Sequence, residues 1–408
     1  MTVSLHRLHL PTPAATPYPD PAPDSDPHHA PAARPSPTLA APRIAGVGTA
    51  VTPESYSQRE LLDIFRITDP RIRSVFLNSA IERRHLTIPP RDEEGNCLPE
   101  PQGELLAKHK RLAVDMGSRA LRACLADAGL VLANVDYLCC VTTTGFLTPG
   151  LTALLIRELG IDPGCHRVDV VGMGCNAGLN ALNGTAAWAA AHPGRVAVMV
   201  CAEACSAAYA FDSTMRTAVV NSLFGDGAAA IALVVPDSDI GGDIDGTIAG
   251  DIAADGSGPA PAGPRVLSFA SHIITDAIGA MRYDWDDEQV RFSFFLDPEI
   301  PYVVGANAER VVDRLLSGAG LRRGDISQWL VHSGGKKVID AVRLNLGLTR
   351  HDVRHTTGVL CDYGNLSSGS FLFSYDRLVR EQAARPGDYG VLMTMGPGST
   401  IETALVQW

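Results

Sequence analysis

An α/β fold assembled from two like halves is what this sequence predicts. Short apolar strands alternate with helices that end at glycine, and strands separated by helices imply mostly parallel, covered sheets. A weak internal echo points to duplication. A strand ending in Thr142-Thr143-Thr144-Gly145 matches one ending in His332-Ser333-Gly334-Gly335. The turn Gly174-Cys175-Asn176-Ala177-Gly178 matches Gly364-Asn365-Leu366-Ser367-Ser368-Gly369. The chain of 408 residues, 46% hydrophobic and 19% charged, exceeds one ordinary domain and can fill a large core.

Taken in order, residues 1–43 are rich in proline and alanine and read as a disordered tail. They lack the basic start and apolar core of a secretory signal. The N-terminal half, 44–235, contains a helix over Leu105–Gly129 and strands over Val135–Thr142, Val168–Val171 and Val196–Cys201. It closes with a strand pair between Phe224 and Val235, after a Gly-Asp-Gly turn. Residues 236–264, rich in Gly and Asp, read as a flexible connector. Asp243, Asp245, Asp251 and Asp255 within it lack the ligand-spaced repeat of a calcium loop. The C-terminal half, 265–408, has a helix over Ala306–Ser317, with Val311, Val312, Leu315 and Leu316 on one face and Gly318 stopping it. A strand at Trp329–Val331 and a closing strand pair over Val391–Val406 follow.

Several functions are disfavoured by composition. A net charge of −11 argues against nucleic acid, which selects a basic face. No apolar run reaches the roughly 20 residues that span a bilayer. Nine cysteines, an odd number spread through apolar segments, imply reduced thiols and a cytoplasmic protein. Cys201 and Cys205 lack a second pair of ligands, so no metal is expected.

Three residues carry candidate chemistry. Cys175 follows a strand at a glycine-rich turn into a helix, where the helix terminus favours a thiolate. His332 stands at a strand's carboxyl end, with Gly334 and Gly335 leaving space, and suits a base for that thiol. Asn365 supplies an amide donor that cannot titrate away, which suits a transient oxyanion. Read singly, each has a plain structural alternative: a core cysteine, a structural histidine, a turn asparagine. Together, at corresponding turns, they point to one site.

Gly174-Cys175-Asn176-Ala177-Gly178, Val331-His332-Ser333-Gly334-Gly335 and Gly364-Asn365-Leu366-Ser367-Ser368 resemble the Cys–His–Asn triad of chalcone-synthase-like enzymes, the type III polyketide synthases. Leu223-Phe224-Gly225-Asp226-Gly227-Ala228 and Gly396-Pro397-Gly398 add further likeness. Over Ser74–Ile81, Met281–Trp285 and His332–Lys337 the chain is more narrowly similar to bacterial 3,5-dihydroxyphenylacetyl-CoA synthases of glycopeptide-antibiotic pathways. The resemblance implies a thiolase-like αβαβα layered fold of two duplicated halves and an acyltransferase with no tightly bound cofactor. Coenzyme A thioesters would be substrate and product. Four malonyl-CoA would be condensed by decarboxylative Claisen steps and cyclised. It further implies a homodimer and enoyl-CoA-hydratase-like helper enzymes downstream.

The same likeness assigns site residues. Phe224 and Phe294 match aromatic gatekeepers, while Thr143, Cys205, Ala208 and Ser367 match small cavity-lining positions. Arg83, Arg84, Lys336 and Lys337 become candidates for the coenzyme's phosphates, with Gly335 allowing close backbone approach. Thr148 stands where relatives carry a methionine that reaches into the partner's cavity, and Ser333 and Lys336 stand where plant relatives carry prolines. Two rival activities share this chemistry. A ketoacyl synthase would need an acyl carrier protein, and a Cys–His thioesterase would release free acid without carbon–carbon bond formation.

Overall fold

A computed structural model describes residues 40–208, 211, 214–236 and 263–408. The tail expected over 1–43 lies outside them as far as residue 39, and the connector expected over 236–264, with its four aspartates, lies outside them from 237 to 262.

The strands are β1 (Arg43–Ala50), β2 (Ser55–Ser57), β3 (Arg83–His85), β4 (Val135–Thr142), β5 (His166–Val171), β6 (Val196–Glu203), β7 (Gly227–Val234), β8 (Arg265–Ile273), β9 (Met281–Asp286), β10 (Arg291–Leu296), β11 (Ile326–Val331), β12 (Tyr389–Gly396) and β13 (Thr400–Gln407). The helices are α1 (Gln58–Ile64), α2 (Pro70–Leu77), α3 (Gln102–Asp127), α4 (Leu151–Leu159), α5 (Ala177–Ala191), α6 (Cys205–Ala208), α7 (Met215–Leu223), α8 (Ile300–Ser317), α9 (Lys336–Asn345), α10 (Arg354–Tyr363) and α11 (Ser370–Glu381).

Nine strands join in the order β11-β12-β13-β8-β1-β7-β6-β4-β5. Outward from the middle, β1 pairs antiparallel with β7, β7 antiparallel with β6, and β6 parallel with β4. On the other side β8 pairs antiparallel with β13, β13 antiparallel with β12, and β12 parallel with β11. The two halves therefore repeat one pairing pattern, and β5 extends the first half by one edge strand, parallel to β4.

Side-chain size explains the layering. Helix α5, with sequence AGLNALNGTAAWAAA, is rich in small residues and packs against strands of both halves. Helix α11 likewise touches β1, β7, β11 and β12. Their apolar residues fill one core slab shared by the two halves. Helices α3 and α4 cover the outer face of the first half over a second slab, and α8 and α9 cover the second half over a third. The described strands of the two halves pair with each other only at Arg43 and Arg265, so the resulting order is helix, sheet, helix, sheet, helix.

One expectation fails. Phe224–Val235 holds a single strand, β7, because its run GAAAIALV is buried throughout and contains no turn. Of its two partners in the first half, β6 is reached across α6 and α7, whereas β12 and β13 are joined by the three-residue turn Pro397–Ser399. Similar pairings are thus closed by connections of unlike length.

Candidate active site

After β5 the chain passes through a single 3-10 turn, Gly174–Asn176, and then enters α5. Cys175 sits in that turn, at the amino end of the helix. Strand β11 delivers His332 one residue beyond its end, and the His332 backbone N–H donates to the Met393 carbonyl at 2.8 Å. Asn365 follows Gly364, the cap of α10. All three line one cavity of about 420 Å³, so the corresponding turns of the two halves do meet.

The Asn365 amide has a defined direction. Its Oδ1 accepts the Ser367 backbone N–H at 2.8 Å and faces the Ser370 hydroxyl at 3.5 Å. That leaves the Nδ2 protons to donate, and the amide shares the cavity with the Cys175 sulfur. Backbone pairing fixes its place. The Asn365 N–H donates to the Leu223 carbonyl at 2.9 Å, and the Gly225 N–H donates to the Asn365 carbonyl at 3.0 Å.

Burial opposes the thiolate that the helix terminus favours. Burial pushes the Cys175 thiol up to about 12, against the lowering effect of hydrogen bonds from Ser367 and Asn365. Burial also pushes His332 down to about 3. Desolvation penalises both charged forms more than one helix terminus stabilises the anion. Burial thus opposes the charged form of each group.

Behind the sulfur runs a polar chain. Cys175 Sγ lies 3.6 Å from Ser367 Oγ, which lies 3.0 Å from Thr143 Oγ1, whose hydroxyl is 3.0 Å from Glu203 Oε1. Glu203, at the end of β6, is fully buried and also accepts the Thr143 backbone N–H at 2.9 Å, the Thr144 hydroxyl at 3.0 Å and the Ser368 hydroxyl. Burial raises its carboxyl, and these donors offset part of that rise. Sequence reasoning passed over Glu203, although a carboxylate ending an apolar strand was a signal.

Phe224 and Phe294 both line the cavity, edge to face with ring centroids 6.3 Å apart. Gly335, Lys336 and Lys337 lie at its wall, the two lysines exposed. Lys336 pairs with Asp340 at 3.0 Å. Pro397 also lines the cavity. Neighbouring Gly396 lies so close that a Cβ would come within 2.3 Å of Asn176 Oδ1, and Gly398 completes the same turn.

Other expected residues lie elsewhere. Arg84 is 1% exposed and cannot meet a solvated phosphate. Its guanidinium donates to the Phe224 carbonyl at 2.6 Å and to Gln58 Oε1 at 3.0 Å, and burial depresses it to about 9. It clamps the backbone of Phe224 to Gln58. Arg83 is exposed but turned toward Ser55 and Glu60, away from the cavity. Cys205 and Ala208 belong to the apolar cluster around Cys175 and Phe224 rather than to the open wall. Thr143 and Ser367 serve the polar chain, so none of these four small residues borders the described cavity. Thr148 is exposed on the loop after β4.

Two family profiles match the chain: the C-terminal domain of chalcone and stilbene synthases over residues 269–408, and the N-terminal domain of the same enzymes over 99–237. The chain belongs to the chalcone and stilbene synthase family. Type III polyketide synthases of this kind are condensing acyltransferases that use coenzyme A thioesters. The 3,5-dihydroxyphenylacetyl-CoA synthase of Amycolatopsis orientalis is 69% identical over 366 residues, 90% of this chain and 93% of that protein. Its namesake from Amycolatopsis balhimycina is 70% identical over the same shares. Among solved structures, the 1,3,6,8-tetrahydroxynaphthalene synthase of Streptomyces coelicolor superposes with a TM-score of 0.76 at 27% identity, covering 90% of this chain and 99% of that one. PKS-I of the brown alga Ectocarpus siliculosus superposes at 0.79 with 24% identity, over 90% and 98%, and has the same fold. The layered, duplicated architecture is thus the thiolase-like fold of the type III polyketide synthases.

Proposed function

We propose that this chain condenses four malonyl-CoA and cyclises the tetraketide to 3,5-dihydroxyphenylacetyl-CoA. The observation that carries the product assignment is 69–70% identity, over 90% of the chain, to synthases bearing that name. The cavity supports the chemistry. Cys175 gives its proton to His332 as sulfur attacks the thioester, and coenzyme A leaves. A malonyl-CoA then loses carbon dioxide, and negative charge develops on its thioester oxygen. The Asn365 Nδ2–H and a protonated His332 are the donors for that charge. The new carbon–carbon bond forms as the carbon–sulfur bond to Cys175 breaks, leaving the longer chain on coenzyme A to reload. The apolar faces of Phe224 and Phe294 disfavour a carboxylate relative to neutral carbon dioxide. Lys336 and Lys337 offer cations to the coenzyme's phosphates in an otherwise acidic protein.

The same reading divides the chain into halves, 44–235 with the nucleophile and 265–408 with His332 and Asn365. A homodimer is supported by the edge strand β5, whose Val168 and Val171 are 41% and 46% exposed, and by Phe146, 73% exposed beside Thr148. All nine cysteines are free, which fits a reducing cytoplasm. Helper enzymes of the enoyl-CoA-hydratase type would act on product release.

Incubation of the purified protein with malonyl-CoA alone, followed by mass identification of thioester products, tests the proposal. The expected product is 3,5-dihydroxyphenylacetyl-CoA, absent with Cys175→Ala. A requirement for an acyl carrier protein, or malonate released without coupling, overturns it.

A further inference from the structure

From Glu203 a second hydrogen-bonded branch leads away from the cavity to an imidazole with no part in the steps above. His109, in α3, is fully buried. Its Nδ1 lies 3.2 Å from Thr144 Oγ1 and its Nε2 lies 3.4 Å from Thr142 Oγ1. Each threonine has a single hydroxyl proton. Thr142 donates its own to the Ala202 carbonyl at 2.8 Å. Thr144 accepts the Ala204 N–H at 2.9 Å and donates to Glu203 Oε2 at 3.0 Å. Both imidazole nitrogens therefore face oxygen lone pairs, which suits an imidazolium with two donors.

A second arrangement also satisfies every group. A neutral carboxylic acid at Glu203 donates to Thr144, and Thr144 donates to an unprotonated Nδ1. The two arrangements contain the same single proton and the same net charge. They differ in whether Glu203 is charged. Removing that proton leaves one imidazole nitrogen with its lone pair against a threonine lone pair, so the couple retains it to higher pH than Glu203 would alone. Gly145 packs close against the ring, where a Cβ would sit 2.3 Å from its Cδ2.

We propose that His109 is a positioning residue that shares one proton with Glu203 through Thr144, and so sets the charge that Glu203 presents to Cys175. The inference rests on Cys175 being the nucleophile. In the transfer, the Nδ1–H bond of His109 breaks as its proton passes to Thr144 Oγ1, and the Thr144 hydroxyl proton passes to Glu203 Oε2. An imidazolium and a carboxylate become an imidazole and a carboxylic acid, with nothing gained or lost. A Cys175 thiolate favours the uncharged couple, because a carboxylate nearby opposes it. Burial lowers His109 and raises Glu203, the same direction. Other titratable or charged groups near this part of α3 include Cys140 on β4, Cys205 on α6, Asp226 ahead of β7, and Lys108. Lys108 is already paired with Glu100 at 2.5 Å.

The test is the pH profile of Cys175 alkylation by iodoacetamide, read by mass on the peptide containing it. His109→Gln retains polarity but cannot carry the shared proton. A unit charge two hydroxyls away shifts a thiol by about one pKa unit, so alkylation at neutral pH should slow roughly tenfold. Placed in a Glu203→Gln background, the same substitution should change nothing, whereas a purely structural role would cost as much in either background. A His109→Gln profile that coincides with wild type, or an equal loss in both backgrounds, overturns the proposal. NMR of isotope-labelled histidine in the full chain gives a second readout, independent of Cys175 and of any His109 variant. The His109 nitrogens should respond to Glu203→Gln, and identical signals would refute the sharing. Failure of wild-type Cys175 to alkylate would instead overturn the nucleophile assignment, with the NMR comparison still deciding the relay.

Discussion

Replacing Asn365 separates two jobs that the structure gives to one side chain. In the proposed mechanism its Nδ2 protons are the neutral donors for the oxyanion, and removing one such donor costs about 3–4 kcal/mol of barrier, a factor of several hundred. Its Oδ1 holds the Ser367 backbone N–H at 2.8 Å in a turn where Ser367 is 1% exposed. An unpaired buried N–H costs about 1–3 kcal/mol of stability. Asn365→Ala should therefore show both losses: slower carbon dioxide release from malonyl-CoA and a lower urea midpoint. Asn365→Asp retains an oxygen for Ser367, so it should recover stability without recovering the rate at neutral pH. Carbon dioxide release and acyl loading onto Cys175 are measured separately, and loading should fall less because the thiol and imidazole remain. Equal losses in the two steps, or wild-type decarboxylation by Asn365→Asp, would refute the assignment.

Arg84→Lys retains a buried cation but loses the fork that serves both the Phe224 carbonyl and Gln58. It should destabilise the protein by about 2–3 kcal/mol in chemical denaturation and lower turnover. Lys337→Ala should raise KM for malonyl-CoA severalfold with little change in kcat, and the difference should shrink in high salt. Lys336→Ala should do less, since Asp340 already holds that ammonium. Asp226 accepts the Ser206 N–H and hydroxyl and the Thr87 N–H, yet burial holds its carboxyl up at about 6 against an ordinary 3.8. Folding favours its neutral form, so this contribution is complete below about 3.8 and is lost as pH rises through about 6. The stability advantage of wild type over Asp226→Asn should accordingly shrink by about 3 kcal/mol across that window.

The site was legible where chemistry sits on local pattern. Cys175, His332 and Asn365 each follow a strand or helix end marked by glycine, and corresponding positions in like halves predicted their convergence. What stayed hidden depends on partners distant in sequence. Arg84 looks like a surface cation until the Phe224 carbonyl, 140 residues away, is seen to accept from it. Glu203 reads as a strand end, and only folding places Thr143, Thr144 and Ser368 around its oxygens. How strongly burial opposes ionisation of Cys175 stayed hidden because a helix terminus is visible in sequence and the extent of desolvation is not. Cys205 and Ala208 were small enough to line a void, but size alone does not say on which side of a wall a residue falls.

Phe224 and Asn365 face each other in an isolated parallel bridge between the two halves. The proposed aromatic gatekeeper and the proposed oxyanion donor therefore ride on one seam of backbone. Any substitution that widens the throat at Phe224 will tug on the amide as well, so altering which acyl groups are admitted without altering how fast they react requires changes away from that seam, at Phe294 or along β9 and β10.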